Sequence, residues 1–178
     1  MKIDNLEKSF CFTYESPVGS LFIECTAHAL RKISFSQAQE ASAASLEDCK
    51  LAQTLRLQLD EYFAGERTSF ELPLDAQGTP FQKSVWKALC EIPYGKTCSY
   101  ADIAARLGND KACRAVGMAN HNNPIAIVIP CHRVIGKNGA LTGYAGGMEK
   151  KRTLLQLEAD TLSRKADRQS KKEKHDGR

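Results

Sequence analysis

Short runs of aromatic and β-branched residues open the chain, and residues with helical spacing follow them. Residues 10–14 and 20–25 are such runs, and the Ser-Pro-Val-Gly sequence between them, at 16–19, has the composition of a turn. We expect the two runs to form a β-hairpin and residues 30–35 to add a third antiparallel strand. Residues 37–44 are polar or small and predict a loop.

The first helix is predicted from Ser45 to Gly65. Asp48 lies three residues after Ser45, as in a capping box, and Gly65 is a natural stop. The apolar positions between them follow helical spacing: Ala52, Leu55, Leu59 and Tyr62 or Phe63. One amphipathic helix on a small sheet predicts an α/β domain over residues 1–78, in which we find no catalytic pattern.

A second helix is predicted after a connector at 72–78. Pro80 stands near its first position, and Pro93 and Gly95 terminate it. Its apolar stripe comprises Phe81, Val85, Ala88 and Leu89. Trp86 could stack on a nucleic-acid base, but on a helix with such a stripe we interpret it as a core anchor.

A helix-turn-helix is the next predicted unit. A capping signature opens a helix over 100–106, and a second helix over about 111–120 follows a turn at Gly108. Pairs of short helices also occur as plain core elements. Lys111 and Arg114 give the second helix a basic start, which favours a nucleic-acid role.

A buried run ends at a cysteine–histidine pair. Five consecutive apolar residues at 125–129 predict a strand buried on both faces, and Pro130 should end it, because proline cannot donate to a sheet ladder. Cys131 and His132 follow directly. From this dipeptide alone, a core cysteine beside a surface His-Arg pair at 132–133 is the favoured interpretation. Because adjacent residues of an extended chain point to opposite sides, contact between the two side chains requires a turn or a bridging water.

Turn and helix signals fill the rest of the chain. An Asn-Gly pair at 138–139, between short apolar runs, predicts a hairpin. Three glycines within 142–147 form a loop that either brings backbone amides close to a ligand or is simply a flexible connector. A last helix is predicted from 148 to about 159 and carries Glu158. Residues 164–178 are rich in Lys and Arg and predict a disordered tail.

Composition and charge narrow the class of protein. The 178-residue chain is 42% apolar, and no segment approaches the roughly 18 to 20 apolar residues that a membrane span needs. Its charged N-terminus has no signal-peptide core, so we expect a cytoplasmic protein. Residues 1–78 hold 7 Lys or Arg and 12 Asp or Glu, whereas residues 79–162 hold 11 and 6. This asymmetry indicates that the second half meets a polyanion.

Cysteine is the candidate for chemistry. The seven cysteines are irregularly spaced and form no Cys-x-x-Cys motif, so neither a disulfide framework nor a zinc ribbon is indicated. A free thiol has a pKa of about 8.5, and a neighbouring imidazole oriented by a carboxylate can take its proton. Cys131, His132 and a distant carboxylate would form such a set.

The motifs around Cys131 resemble those of a known family. The sequence Pro-Cys-His-Arg-Val-Ile at 130–135 resembles the signature of the methylated-DNA–protein-cysteine methyltransferases, the O6-alkylguanine-DNA alkyltransferases that repair alkylated bases directly. The resemblance is dense from about Thr79 to Glu158 and looser in the first 78 residues. The matching segments are 79–82, 114–117, 123–124, 130–135 and 143–147, with 16–19 and 62–65 in the looser part.

The resemblance implies roles for single residues. Cys131 would accept the alkyl group, His132 would act as base through a water, and Glu158 would hold the other imidazole nitrogen. Asn123 would brace the turn with side-chain hydrogen bonds. Tyr100 would bind the damaged base and donate a proton near its ring.

The resemblance also implies a DNA-binding surface. Arg114 would enter the base stack and fill the gap left by the flipped nucleotide. The second helix of the helix-turn-helix would enter the minor groove, with little sequence specificity, and three small residues would permit its close approach: Ala112, Ala115 and Gly117. Tyr144 and Ala145 would bind the base through their backbone, and Val134 completes the expected DNA-binding set.

The expected protein is an α/β (α+β) chain. A small N-terminal antiparallel sheet with a helix, ribonuclease-H-like, would cover 1–78, and a mainly helical domain with the helix-turn-helix and short strands would cover 79–162. A basic tail would occupy 163–178. The resemblance implies a monomer that binds double-stranded DNA, flips out O6-alkylguanine or O4-alkylthymine, and transfers the alkyl group irreversibly, once per molecule, without a cofactor.

Some alternatives remain open. Certain members of the family bind zinc through N-terminal Cys and His residues, but Cys11, Cys25 and His28 do not align convincingly with those ligands, so we expect no metal. A cysteine hydrolase with the same nucleophile and base would show repeated turnover. A lesion-binding module of the same fold would bind without reacting, although such a module has no need of a nucleophile.

Overall fold

A three-stranded antiparallel sheet forms the first part of the fold. The computed structural model describes residues 8–35 and 49–176. Strands β1 (Phe10–Ser16), β2 (Gly19–Cys25) and β3 (Leu30–Ser34) lie in chain order. The predicted hairpin and third strand are confirmed: β1 pairs with β2 from the turn outward, and β3 pairs with the other edge of β2.

Helix α1 (Lys50–Phe63) packs its apolar stripe on this sheet, as its spacing predicts. The helix begins after Cys49, whose extended backbone forms the N-cap, and ends before Gly65, which has a φ of 76°. The predicted start at Ser45 and the predicted loop at 37–44 lie outside the described residues.

Helices dominate the second half, which confirms the predicted fold class. They are α2 (Pro80–Cys90), α3 (Tyr100–Arg106), α4 (Cys113–His121), which follows a 3-10 turn (Asp110–Ala112), and α5 (Met148–Asp176). Two-residue strands β4 (Cys98–Ser99) and β5 (Val134–Ile135) pair in parallel. Reciprocal capping boxes open α2 at Thr79 and α3 at Ser99.

The predicted stripe of α2 is right at three positions and wrong at Phe81. Val85, Ala88 and Leu89 are buried, but Phe81 is 37% exposed. Trp86 is the buried aromatic residue of this helix instead: it is 3% exposed and donates from Nε1 to the carbonyl of Ala119 on α4. The interpretation of Trp86 as a core anchor is therefore confirmed, and it fixes α2 against the helix-turn-helix.

The predicted strand at 125–129 is wrong, although all five residues are buried. The segment forms a tight turn in which the amide of Ile129 donates to the carbonyl of Ile125, and Ile127 takes a φ of 73°. A single bridge ties it to β3, in which the amide of Ile33 donates to the carbonyl of Pro124 and the amide of Ala126 to the carbonyl of Ile33. A continuous apolar run indicates burial in either conformation, so the pattern cannot distinguish a strand from a turn packed against a sheet.

The predicted hairpin at 138–139 is also wrong. The amide of Gly136 donates to the carbonyl of Ala140 across a turn, but no strand follows it in the described residues 140–147. The ladder of β5 is instead made with β4.

The last helix is longer than predicted. We expected disorder over 164–178, but α5 continues as far as Asp176. Its extension contacts the loop after α1, because Thr161 is buried there and Lys165 Nζ donates to the carbonyl of Glu66 at 3.2 Å. Lys, Arg, Gln and Glu are good helix formers, so a polar composition is compatible with this extension once one turn is anchored.

We predict that Gly78→Ala lowers the free energy of unfolding by about 1–3 kcal/mol, because an added Cβ would overlap the buried Trp86 ring. That ring cannot move freely while its Nε1 is bonded to Ala119. The measurement is urea unfolding at equilibrium.

The matched control is Gly117→Ala in α4. Its Cβ would meet nothing closer than the Tyr100 ring at 3.8 Å, so the substitution should raise stability by up to about 1 kcal/mol through helix propensity. Equal effects of the two substitutions would contradict the role assigned to Trp86.

Candidate active site around Cys131

A 3-10 turn (Cys131–Arg133) supplies the geometry that the cysteine–histidine pair requires. Its hydrogen bonds run from the amide of Cys131 to the carbonyl of Ile129 and from the amide of Arg133 to the carbonyl of Pro130. With three residues per turn, consecutive side chains diverge by about 120°. Cys131 therefore faces a cavity, while His132 and Arg133 face the interior.

Asn123 braces this turn. Its Nδ2 lies 2.8 Å from the carbonyl oxygen of Ile129 and 3.0 Å from Sγ of Cys131, and its Oδ1 accepts from the amide of Ile125 at 3.0 Å. One amide side chain thus joins the buried apolar turn to the thiol. The contacts are those expected of a bracing residue.

The Cys131 thiol lies at the base of a cavity of about 350 Å³, a volume ordinary for a small-molecule site. The thiol is buried, with 3% of the residue exposed. The lining residues come from both halves of the chain: Ile33, Ser34, Phe35, Asn123, Ala126, Cys131, Tyr144, Ala145, Gly146 and Lys150. The N-terminal part, in which the sequence showed no catalytic pattern, therefore forms one wall of the cavity.

Burial raises the pKa of the Cys131 thiol to about 11, against the opposing effects of the Asn123 hydrogen bond and the Lys151 charge. At neutral pH the group is a thiol, and it needs a base before it can act as a nucleophile.

A buried carboxylate organises the other side of the turn. Glu158 Oε1 lies 2.9 Å from His132 Nε2 and 2.9 Å from Arg133 Nη2. Its Oε2 accepts from Arg133 Nε at 3.0 Å and from the amide of Gly95 at 2.8 Å. Tyr62 donates to Oε1 at 2.9 Å. The predicted approach of Glu158 to His132 is therefore present in the structure.

The charges of this cluster define the state of His132. Burial alone would raise the pKa of Glu158, but hydrogen bonds and charges from His132 and Arg133 lower it to about 2. Burial lowers the pKa of His132, although Glu158 partly opposes this. An ionised carboxylate only accepts hydrogen bonds, so a neutral His132 must carry its proton on Nε2.

The other imidazole nitrogen is then the basic one. Nδ1 of His132 is buried and has no hydrogen-bond partner among the residues that the structure describes. In the neutral ring protonated at Nε2, Nδ1 carries the free lone pair. His132 is thus oriented as a base by Glu158.

Lys151 secures the glycine-rich loop and was missed from the sequence. Its Nζ is fully buried and contacts the carbonyls of Val134 and Thr142. Tyr100 donates to the same Thr142 carbonyl at 3.1 Å. Burial lowers the pKa of Lys151 to about 8. In the sequence, Lys151 lies among polar residues in the first turn of the last helix, and this position does not indicate a buried contact.

Several residues of the expected site lie elsewhere. Tyr100 is outside the lining of the Cys131 cavity, and Val134 is fully buried with its carbonyl bonded to Lys151. On the helix-turn-helix, Arg114 and Ala115 are exposed and Gly117 is half-buried. The exposed face continues to Met118, at 62% exposure. Ala112 is only 9% exposed, so it contributes little to that face, and its expected contact with DNA stays a prediction.

Arg133 and Tyr62 are functional candidates that sequence reasoning overlooked. Arg133 is an unusual buried arginine, held by Glu158 and by a 2.7 Å hydrogen bond from Nη1 to the carbonyl of Ile92. Its position next to the cysteine–histidine pair was the available signal. The sequence pattern places Tyr62 in the apolar stripe of its helix. The position of the ring agrees with this, but the pattern does not show what the hydroxyl contacts.

The described part of the chain holds neither a metal-binding cluster nor a membrane-spanning helix. No group of three or more His, Cys, Asp or Glu side chains there is placed to hold a metal ion. Within the same residues, no helix combines the length and the apolar character needed to cross a membrane.

Known proteins match both halves of the chain. Residues 10–76 match the family model described as 6-O-methylguanine DNA methyltransferase, ribonuclease-like domain, and residues 80–160 match its DNA binding domain. Together the two models make up a 6-O-methylguanine DNA methyltransferase with a ribonuclease-like part and a DNA-binding part. The chain belongs to the methylated-DNA–protein-cysteine methyltransferase family.

Individual relatives support this assignment. The methylated-DNA–protein-cysteine methyltransferase of Methanosarcina barkeri is 49% identical over 151 residues, which cover 83% of this chain and 96% of the relative. The crystal structure of Mycobacterium tuberculosis O6-methylguanine methyltransferase matches with a TM-score of 0.78 at 44% identity, over 86% of this chain and 94% of that one. A structure of M. tuberculosis OGT in complex with DNA matches with a TM-score of 0.76 at 45% identity, over 84% and 92%.

We predict that Arg133→Met lowers the free energy of unfolding by about 3–5 kcal/mol, because it leaves the buried Glu158 carboxylate without its cation. The matched control is Arg67→Met, which removes an ion pair with Glu61 whose side chains are 23% and 29% exposed. That loss should stay below about 1 kcal/mol. Urea unfolding measures both, and similar small losses would contradict the account of the buried pair.

Proposed function

We propose that the protein repairs alkylated DNA by transferring the alkyl group from O6 of guanine to Cys131. The observation that carries the proposal is the pairing of a buried thiol, open to a cavity, with a histidine whose Nε2 is fixed by Glu158 and whose Nδ1 is free. Family membership and the DNA-bound relative support DNA as the partner.

The proton balance follows from the site. The Cys131 thiol gives its proton to His132 Nδ1 through a bridging water, and Glu158 stabilises the imidazolium that forms. The thiolate attacks the alkyl carbon, an S–C bond forms, and the C–O6 bond breaks. The guanine ring takes a proton as its oxygen becomes a carbonyl, and the proton that His132 received replaces it through solvent, so the products are guanine and a neutral thioether.

The thioether makes the reaction stoichiometric. No step in this scheme breaks the new S–C bond, because a thioether is neither an ester nor a disulfide. O4-alkylthymine presents the same alkoxy carbon beside a ring nitrogen, so we include it as a second substrate. The protein acts as a monomer, with one thiol for one lesion.

Tyr100 would supply the ring proton. In the structure its hydroxyl donates to the carbonyl of Thr142, at the edge of the loop that carries Tyr144 and Ala145. We propose that a bound base takes the place of this contact, so that the hydroxyl meets the ring nitrogen, while the loop backbone holds the base.

Access to a paired base requires flipping, which costs a few kcal/mol and less for a damaged pair. Arg114 is exposed on α4. We propose that it enters the stack, where its guanidinium can offset part of that cost. Ala115 and Gly117 have small side chains, so the helix backbone can come close to DNA, which suits insertion into the minor groove.

We predict that limiting protein removes one labelled methyl group per molecule from methylated duplex DNA. Cys131→Ala should remove none while retaining DNA binding, and the control Cys90→Ala, which changes an exposed thiol, should behave like the unaltered protein. The measurement is the number of labelled methyl groups removed from the DNA per protein molecule. A number well above one would mean repeated turnover and would indicate a hydrolase instead.

We predict that Arg114→Ala slows the repair of duplex DNA on the order of tenfold, because the cost of flipping is no longer offset, but leaves the reaction with free O6-alkylguanine base nearly unchanged. Lys111→Ala is the control on the same unit. It should weaken DNA binding and reduce the salt dependence of binding by about one ion, without slowing the repair of duplex DNA relative to the reaction with free base. Equal slowing of duplex and free base by Arg114→Ala would refute its role in flipping.

A further inference from the structure

One buried hydrogen bond joins the two halves of the chain inside the candidate site. The hydroxyl of Tyr62, on α1, donates to Glu158 Oε1 at 2.9 Å, across 96 residues of sequence. Both side chains are fully buried. The N-terminal half therefore reaches the carboxylate that orients His132.

The ring of Tyr62 is held in place independently of its hydroxyl. Its centroid lies 5.3 Å from the Phe63 ring, 5.3 Å from the Phe70 ring and 5.9 Å from the Tyr94 ring. Three aromatic neighbours fix the ring by packing. Removing the hydroxyl alone should leave the ring where it is, so that the hydrogen bond can be tested separately from the core.

Tyr62 and His132 share one oxygen of Glu158. Oε1 accepts from both at 2.9 Å and also from Arg133, while Oε2 accepts from Arg133 and from the amide of Gly95. A carboxylate offers about four lone-pair directions, so these donors saturate it. Donors that share one oxygen compete, because each draws on the same negative charge, so each reduces what the oxygen can give to the others.

We propose that Tyr62 is a positioning residue for the reaction. By occupying Oε1 beside His132, it fixes the Glu158 carboxylate and limits its pull on the imidazole, so that His132 stays neutral with Nδ1 available as the base. The consequence for alkyl transfer rests on the proposed function, whereas the effect on His132 does not.

Tyr62→Phe alters none of the other titratable or charged residues that face the pair. They come from the 3-10 turn, from α5 and from the segment after α2: Cys131, Arg133, Lys151 and Tyr94. Burial, followed by the charge of Glu158, holds the pKa of Tyr62 well above its usual value, so it remains a donor throughout the neutral range.

The sign of the effect follows from the competition for Oε1. Burial lowers the pKa of His132 and the Glu158 hydrogen bond raises it. Without the Tyr62 hydroxyl, more of Oε1 is available to His132, so the pKa of His132 rises. The acid limb of the transfer rate should then move to higher pH, because His132 loses its basic form earlier as the pH falls.

The test compares Tyr62→Phe with Tyr14→Phe. Tyr14 also donates to a carboxylate, Asp60 on α1, at 2.7 Å, and its ring stacks with Phe63, but it has no contact with Glu158. Each variant loses one hydrogen bond from a tyrosine hydroxyl to a carboxylate, and both bonds involve α1. Histidine ¹⁵N spectra are recorded against pH, with the His132 signals assigned by comparison with His132→Gln, and transfer rates are measured over the same range.

Tyr62→Phe should move the His132 titration and the acid limb of the rate upward and slow transfer at neutral pH about two- to tenfold, the equivalent of one hydrogen bond. Tyr14→Phe should move neither. If both variants lose similar stability and neither changes the His132 titration, Tyr62 is structural only and the proposal fails. If the unaltered protein transfers no alkyl group, the proposed function fails, and the spectra still decide the role of Tyr62.

Discussion

The buried carboxylate of Glu158 is the constraint on which the site depends. Moving a carboxylate out of water costs several kcal/mol, which only a full set of donors can offset. Here the donors come from α1, from the turn after α2 and from the 3-10 turn that carries His132 and Arg133. The carboxylate lacks part of its set of donors until all of these segments have assembled. The same assembly places the thiol, since Cys131 precedes His132 on that turn.

The thiol itself is held in a state that is stable and unreactive until a base is engaged. Burial keeps Cys131 protonated, and Asn123 holds its sulfur on one side of the cavity. His132 is neutral and oriented, with its free nitrogen buried. Such an arrangement suits the proposed role of Cys131 as a nucleophile that is used once. Premature reaction with other electrophiles would consume it, and a thiol is far less nucleophilic than a thiolate.

Local patterns predicted the hairpin, the apolar stripe of α1, the capping box at Ser99 and the burial of residues 125–129, because each depends on neighbours in sequence. They failed where tertiary contacts decide: the apolar run became a turn against β3 rather than a strand. The motif resemblance named Cys131, His132 and Glu158, but not the ion pair of Arg133. Nor could spacing reveal the Tyr62 hydroxyl, since its partner is 96 residues away.

The most direct test of the account is a peptide mass spectrum of the protein after exposure to DNA that contains O6-methylguanine. The peptide that contains Cys131 should gain one methyl group, located on the cysteine sulfur, and the other six cysteines should be unchanged. A methyl group on any other residue, or loss of methyl from the DNA with Cys131 left unmodified, would contradict it.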